Sequence, residues 1–462
     1  MRCQALREAA NIHSRPPMKP PLLLATAFFA FCSAVLAAET PAQPNVVLIL
    51  IDDFGYECVT ANGGESYRTP VMDRLAATGV RFENCHVQPL CTPTRVALMT
   101  GLNNRRNYTH FAHLDPSQRT FANLFKGAGY ATCIVGKWQL EGGYPGPAHF
   151  GFDEYCLWQL NRRPGRYKNP GLEINGAQRN YTSNEYGPDL VSDYALDFIA
   201  RQKGTPFFLY YPMMLTHDPY DPTPDSVDYL AEGAGRRQGQ RHFAEMVAYT
   251  DKLIGKLVAK LEELRLREKT LLLIVGDNGT GRGTPSQFKG RQVIGGKGTT
   301  TTWGTHVPCI GNWPGHFAGG QVCADLIDAT DFLPTLCEAA RISVPAEPKL
   351  DGRSFLPQLR GEKGTPRAWL YAWYNPSGGA TASAEFAHDA HYKLYADGRF
   401  FALAQDDLEK SPLAEGALDT PAAAAKAKLQ AALKLHDAPR ADHFVKQSKR
   451  FGGEGGQKKQ RP

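Results

Sequence analysis

Val46-Val47-Leu48-Ile49-Leu50-Ile51 runs directly into Asp52-Asp53, and this junction decides the architecture. Six consecutive apolar residues, four of them β-branched, predict a strand covered on both faces, as in the interior of a parallel sheet. Similar runs lie at 132–135 (TCIV), 207–211 (FFLYY) and 271–275 (LLLIV). Between the last two, Phe243, Met246, Val247, Thr250, Ile254, Leu257, Leu261 and Leu264 keep steps of three and four, which predicts a helix over 243–264. A helix joining two buried strands is the crossover that parallel pairing requires. Shorter helices are expected at 73–78 and 121–129. The expected fold class is therefore α/β, a mostly parallel sheet flanked by helices.

Three polar signals sit just past predicted strands: Asp52-Asp53, Gly136-Lys137-Trp138 and Asp277-Asn278. Ligands of open parallel sheets bind at the carboxyl ends of the strands, so the three runs point to one shared site. Asp52, Asp53, Asp277 and Asn278 offer only oxygen ligands. Such a set selects a hard divalent cation, Ca²⁺ or Mg²⁺, over zinc.

A second stretch, Cys91-Thr92-Pro93-Thr94-Arg95-Val96-Ala97-Leu98-Met99-Thr100-Gly101, carries further chemistry. As bare chemistry, a cysteine four residues before an arginine at a helix start is either a thiolate stabilised by cation and dipole or a buried structural thiol. The segment resembles the sulfatase signature Cys-x-Pro-x-Arg followed by Thr-Gly. The resemblance extends over residues 44–361. It includes Pro44-Asn45 before the first strand, Thr69-Pro70 with Asp73-Arg74-Leu75-Ala76, and Gly79-Val80-Arg81-Phe82. Met246-Val247 with Asp251, and Leu350-Asp351-Gly352 through Leu359-Arg360-Gly361, follow in the family's order.

Membership of that family implies an alkaline-phosphatase-like fold and a sulfuric ester hydrolase. It also implies that a maturase oxidises Cys91 to formylglycine, whose hydrated aldehyde is the nucleophile. Asp52, Asp53, Asp277, Asn278 and the modified Cys91 would hold one divalent cation, Ca²⁺ by family habit with Mg²⁺ as the alternative. Arg95 would orient the diol, and Lys137 and Lys297 would contact sulfate or diol oxygens. His217, in Leu215-Thr216-His217-Asp218-Pro219, would protonate the leaving alcohol. The substrate would be a sulfated small molecule or glycan. Trp158, Tyr167, Tyr181 and Tyr186, between Lys137 and His217, are read either as a sugar platform or as packing. Two departures stand out. The family's Gly-Lys-Trp-His is Gly136-Lys137-Trp138-Gln139 here, and Trp303-Gly304-Thr305-His306 replaces a Glu-Gly-Gly-x-Arg pattern. The same signature serves formylglycine phosphodiesterases and phosphonate hydrolases, and Gln139 keeps a non-catalytic glycan-binding relative in view.

The ends of the chain account for its charge. The 462 residues carry a net +6, of which residues 1–37 hold +3 and residues 446–462 hold +5, leaving the body at −2. No basic face for nucleic acid is expected. Residues 22–38 form an uncharged run of 17 after Lys19 and end in small residues, with Val35-Leu36-Ala37 as the cleavage site. Residues 1–37 thus read as a signal peptide, with Met18 as an alternative start. The mature protein would be periplasmic or secreted, without a membrane span. Residues 44–345 are expected to form the catalytic domain, 346–445 a smaller antiparallel subdomain with a helix at 421–435, and 446–462 a disordered basic tail. Eight cysteines follow the signal, without the spacing of a zinc site.

Overall fold

In the computed structural model, residues 43–231, 239–317 and 319–452 are described, and the signal segment and the last ten residues lie outside them. Every buried apolar run singled out above is a strand. The main sheet has ten strands in the order Gln321–Asp328, Val80–His86, Cys309–Asn312, Thr270–Gly276, Asn45–Ile51, Phe207–Pro212, Ala131–Lys137, Glu154–Trp158, Gly171–Ile174 and Ala177–Asn180. The five strands from Thr270–Gly276 to Glu154–Trp158 are parallel. Cys309–Asn312 is antiparallel to both its neighbours, and the last two strands of the row form an antiparallel extension.

Asn45–Ile51 is buried throughout because helices cover both faces of the sheet. Val46, Leu48 and Leu50 enter one apolar core, and Val47, Ile49 and Ile51 enter the other. This is the alternation a pleated strand imposes, and each such side chain contributes roughly 1.5–3 kcal/mol by leaving water. The crossover helix Gly239–Glu263 buries the apolar stripe read from the sequence, with Phe243, Met246, Val247, Ile254 and Leu261 fully inaccessible. Its Asp251 accepts the Val71 and Met72 N–H groups at 2.9 and 2.8 Å, satisfying the open end of helix Pro70–Ala77.

The C-terminal sheet is antiparallel, in the order Leu370–Tyr374, Ala384–His388, Tyr392–Tyr395, Phe400–Ala402, and helix Thr420–Lys434 packs on it. The expected antiparallel subdomain is therefore present, and its strand Ala384–His388 carries a single bulky apolar residue. His388 meets His86 edge-on at 4.5 Å, and His86 stacks on His306 at 4.8 Å, which makes a buried imidazole seam between the two sheets. The expected disorder from 446 onward needs correction. Residues 442–452 form a helix, held by buried Phe444 and by Ser448, whose hydroxyl donates to the Thr109 carbonyl at 2.5 Å. All eight cysteines among the described residues are free. No helix among the described residues is long and apolar enough to cross a membrane.

Candidate active site at the carboxyl edge

Register brings the predicted acids together. Ile51 pairs with Gly276 across the parallel ladder, so Asp52 and Asp277 leave their strands side by side. Successive strand residues normally face opposite ways, but Asp53 adopts a left-handed conformation (φ 58°) that turns it back to the same edge. There its backbone N–H donates to Asp277 Oδ1 at 3.0 Å, and Asn278 Nδ2 donates to Asp53 Oδ1 at 2.9 Å. Asp52, Asp53, Asp277 and Asn278 are fully buried.

Cations interleave with these carboxylates. Lys137, the last residue of its strand, donates from Nζ to both Asp52 oxygens at 3.0 and 2.9 Å. Gly136 makes this approach possible: its φ is 110°, and a Cβ there would lie 2.0 Å from the Pro212 carbonyl oxygen. Arg95 donates to the Lys137 carbonyl at 2.9 Å and to Asp277 Oδ2 at 3.2 Å. Lys297 reaches Asp53 Oδ2 at 2.6 Å from the opposite wall. Burial opposes its charge, yet Asp53 and Asp52 raise the ammonium above the ordinary lysine value. His217 Nε2 lies 3.8 Å from Asp53 Oδ2, while Nδ1 donates to the Asp218 carbonyl at 2.6 Å. The hydrogen bond from His217 holds the Asp218 carboxyl down at about 2.

Cys91 opens helix Cys91–Thr100, every residue of which is buried. Its thiol donates to Gln139 Oε1 at 3.1 Å, and Sγ, an Asp52 oxygen and an Asp277 oxygen lie within 4.8 Å of one another. Burial raises the thiol above its ordinary value. Lys137 opposes that shift, and Asp277 and Asp52 reinforce it. Burial disfavours a thiolate there, and the thiol's hydrogen bond goes to the neutral Gln139 amide and not to a base.

The structure thus brings all nine predicted residues to one place and adds a tenth. Arg166 Nη1 donates to Asp52 Oδ2 at 3.2 Å, and its guanidinium lies 4.1 Å over the Trp158 ring. Only the basic run Arg162-Arg163 to Arg166-Tyr167-Lys168 could have signalled it, and that stretch was read for its aromatics. Of those, Trp158, Tyr167 and Tyr186 are buried, so they pack beneath the site and do not form an exposed sugar platform. For Asp52, burial would raise the carboxyl, but Lys137, His217, Arg166 and Arg95 together hold it well below the usual range.

The loop carrying Lys297 is gripped from the C-terminal sheet. Lys393 donates to the Thr300 carbonyl and to Glu409, Tyr395 bonds both the Thr300 hydroxyl and Glu409, and Trp303 Nε1 donates to Asp407 at 2.9 Å. The Thr299–Thr302 run is thus a loop held by this grip.

The donor set fits a hard cation. Three buried carboxylates converge, and burial together with Asp52 pushes Asp277 up to about 7, a mismatch that a divalent ion would relieve. Asn278 Oδ1 is buried without a hydrogen-bond partner, as expected of an oxygen kept for a metal.

The family model described as Sulfatase matches residues 44–342, and that for the C-terminal part of N-sulphoglucosamine sulphohydrolase matches residues 302–433. The chain is 32% identical to N-acetylgalactosamine-6-sulfatase of Mus musculus over 71% of its length and 68% of the relative's. It is likewise 32% identical to arylsulfatase A of Bos taurus, covering 73% of this chain and 72% of that one. The crystal structure of Ps i-CgsB superposes with a TM-score of 0.68 at 26% identity, covering 81% of this chain and 89% of the other.

Proposed function

Because this chain belongs to the sulfatase family and is a sulfuric ester hydrolase, we propose that it cleaves the sulfate ester of a sugar, using a formylglycine made from Cys91 and one divalent cation, Ca²⁺ by preference. The observation that carries the reading is the position of Cys91: a buried side chain at a helix start, bonded to Gln139 and set among three carboxylates and the cations Arg95, Lys137 and Lys297. As a hydrated aldehyde supplied by a maturase, position 91 would provide an oxygen nucleophile for sulfur and regain its carbonyl when sulfate leaves. The cation, held by Asp52, Asp53, Asp277, Asn278 and residue 91, would supply positive charge for the ester oxygens.

The chain's own side chains divide the remaining work. Lys297 and Lys137 neutralise the sulfate oxygens as charge moves onto them. His217, with Nδ1 anchored on Asp218, presents Nε2 to the leaving alcohol as its proton donor. Arg95 fixes the floor by linking the Lys137 carbonyl to Asp277. Gln139 Oε1 accepts a hydrogen bond from position 91 and orients it, but an amide cannot take a proton at neutral pH. Lys137 donates to both Asp52 oxygens and acts on sulfate as an ammonium, so it does not take that role either, and the proton goes to water in sulfate release. Lys137→Ala should then slow the alcohol burst and the later turnover together, and an intact burst followed by slow turnover would assign Lys137 to sulfate release alone.

The substrate class rests on the relatives named for N-acetylgalactosamine-6-sulfate hydrolysis and on clefts of about 350 and 540 Å³ that meet at Asp218 beside His217. The uncharged apolar run at residues 22–38 supports export from the cytoplasm. The test is a panel of sulfated sugars, aryl sulfates and phosphodiesters, assayed on protein made with and without a maturase. Turnover of a sulfated sugar only in matured protein supports the reading; activity confined to phosphodiesters refutes it.

A further inference from the structure

Beyond the carboxylate ring, one cluster gathers nitrogen and oxygen ligands that the proposed chemistry does not use. His110 and His113 stack with ring centroids 4.7 Å apart and planes 16° from parallel. His113 Nδ1 lies 2.8 Å from Glu141 Oε2. One nitrogen of each ring and one Glu141 oxygen all fall within 4.8 Å of one another. Ligands of a tetrahedral zinc, bound at 2.0–2.2 Å, stand roughly 3.4 Å apart, so closing this cluster on an ion needs side-chain adjustment of about 1 Å. Two imidazoles and one carboxylate form a borderline donor set, unlike the all-oxygen set of the ring. Metals would sort between them, a hard cation to the ring and zinc to this cluster.

We propose that His110, His113 and Glu141 form a second metal site, for zinc or a similar divalent transition-metal ion, which ties the 110–113 loop to the 139–141 turn. A second feature supports it. Both segments hold non-glycine residues in the left-handed region, Ala112 at φ 65°, Gln139 at 52° and Glu141 at 53°. Such conformations persist only where the surroundings hold them, and an ion bridging the two segments does so. Both segments also touch the catalytic stretch. Ala112 N–H donates to Thr92 Oγ1 at 3.2 Å, and Gln139 Oε1 accepts from Cys91 at 3.1 Å. The bridge therefore holds the groups on either side of position 91. Three protein ligands leave a fourth position for water. Glu141 is exposed and lines a cleft of about 250 Å³ with Gln139, Gln159 and Arg163, which opens the site to ions from solvent.

The test uses mature full-length protein, saturated with Ca²⁺ and stripped of transition metals, titrated with Zn²⁺ in a calorimeter and examined by zinc X-ray absorption. The expected result is one zinc per chain at micromolar affinity or tighter, with two imidazole ligands. The melting temperature should rise by ~2–4 °C at saturation. Glu141→Gln and His113→Gln should each weaken binding at least tenfold, and His149→Gln, at an exposed histidine outside the cluster, should leave it unchanged. Glu141 is exposed, so its replacement does not threaten folding, and the melting curve of the zinc-free variant checks this. A zinc site that survives both substitutions, a spectrum without imidazole, or no site tighter than that of His113→Gln overturns the proposal. Zinc binding is read without any sulfate ester, so its failure would leave the sulfatase reading standing.

Discussion

The floor and the rim of the candidate active site are built in opposite ways. Asp52, Asp53, Lys137, Asp277 and Asn278 sit, fully buried, at the ends of three strands of the parallel run, where ladder register and the left-handed turn at Asp53 set their spacing. His217, Lys297 and Arg166 come from loops held by side-chain contacts: the neighbouring Asp218 for the histidine, the C-terminal sheet for the Lys297 loop, Trp158 for the arginine. A floor made by register tolerates little change, whereas a rim made by contacts can be retuned. The floor should therefore carry the chemistry common to the family, and the rim the choice of alcohol.

Substitutions in the floor should do the most damage. Asp53→Asn removes the charge of one carboxylate proposed to hold the cation, which is also the partner of Lys297, and activity should fall by about 10³-fold or more, in kcat above all. Full removal of divalent cations should match it and be reversed by Ca²⁺. Retention of more than a tenth of the activity in either case would break the distinction between floor and rim. His217→Gln should cost about 10²–10³-fold on a sugar sulfate and much less on a nitrophenyl sulfate, whose leaving group needs no proton. Equal losses on both would move His217 from proton transfer to binding.

How much of this was legible beforehand follows the same division. Asp52, Lys137 and Asp277 could be placed from sequence because each directly follows an apolar run whose period identifies it as a buried strand. Cys91 and Arg95 were placed by a motif. The grip of Asp407 and Glu409 on the Trp303 and Thr300 region was not readable, because those residues lie about a hundred positions away and nothing local marks them. Arg166 was missed for a related reason: a basic, aromatic loop has no period to show which side turns inward. The aromatics there were read with two outcomes, and burial settles Trp158, Tyr167 and Tyr186 as packing, while Tyr181 is part-exposed. Strand Ala384–His388 escaped because its alternating small and polar residues lack an apolar run. The helical start of the expected tail escaped because only Phe444 and Ser448 anchor it.

Smaller effects should appear at the seam and the grip. His306 and His388 are pushed down to about 4, by burial first, with Lys289 acting on His306 and Lys393 on His388 against the backbone oxygens of Glu83 and Asp389. Both folded values lie below the unfolded histidine value of about 6.5, so the unfolded chain takes up protons first as pH falls. Stability should be unaffected above about pH 6.5 and should drop between there and about pH 4. The loss should reach about 2 kcal/mol per histidine by pH 4.5. Thermal melting from pH 7.5 to 4.5 reads this, and His388→Gln should flatten the slope. A slope unchanged in that variant would show that acid sensitivity arises elsewhere. At the grip, Glu409→Gln should loosen the Lys297 loop and lower activity about 3- to 30-fold, mainly through KM. An effect as large as that of Asp53→Asn would make the C-terminal sheet part of the floor.

The central claim, that position 91 acts as a formylglycine, is tested most directly by the mass of the Cys91 peptide read alongside specific activity in the same preparations. If the account holds, the peptide loses the mass of the thiol-to-aldehyde conversion in proportion to sulfatase activity across preparations with varying maturase, and Cys91→Ala is inactive. Full activity in protein whose Cys91 remains an unmodified thiol, or in Cys91→Ala, would contradict it.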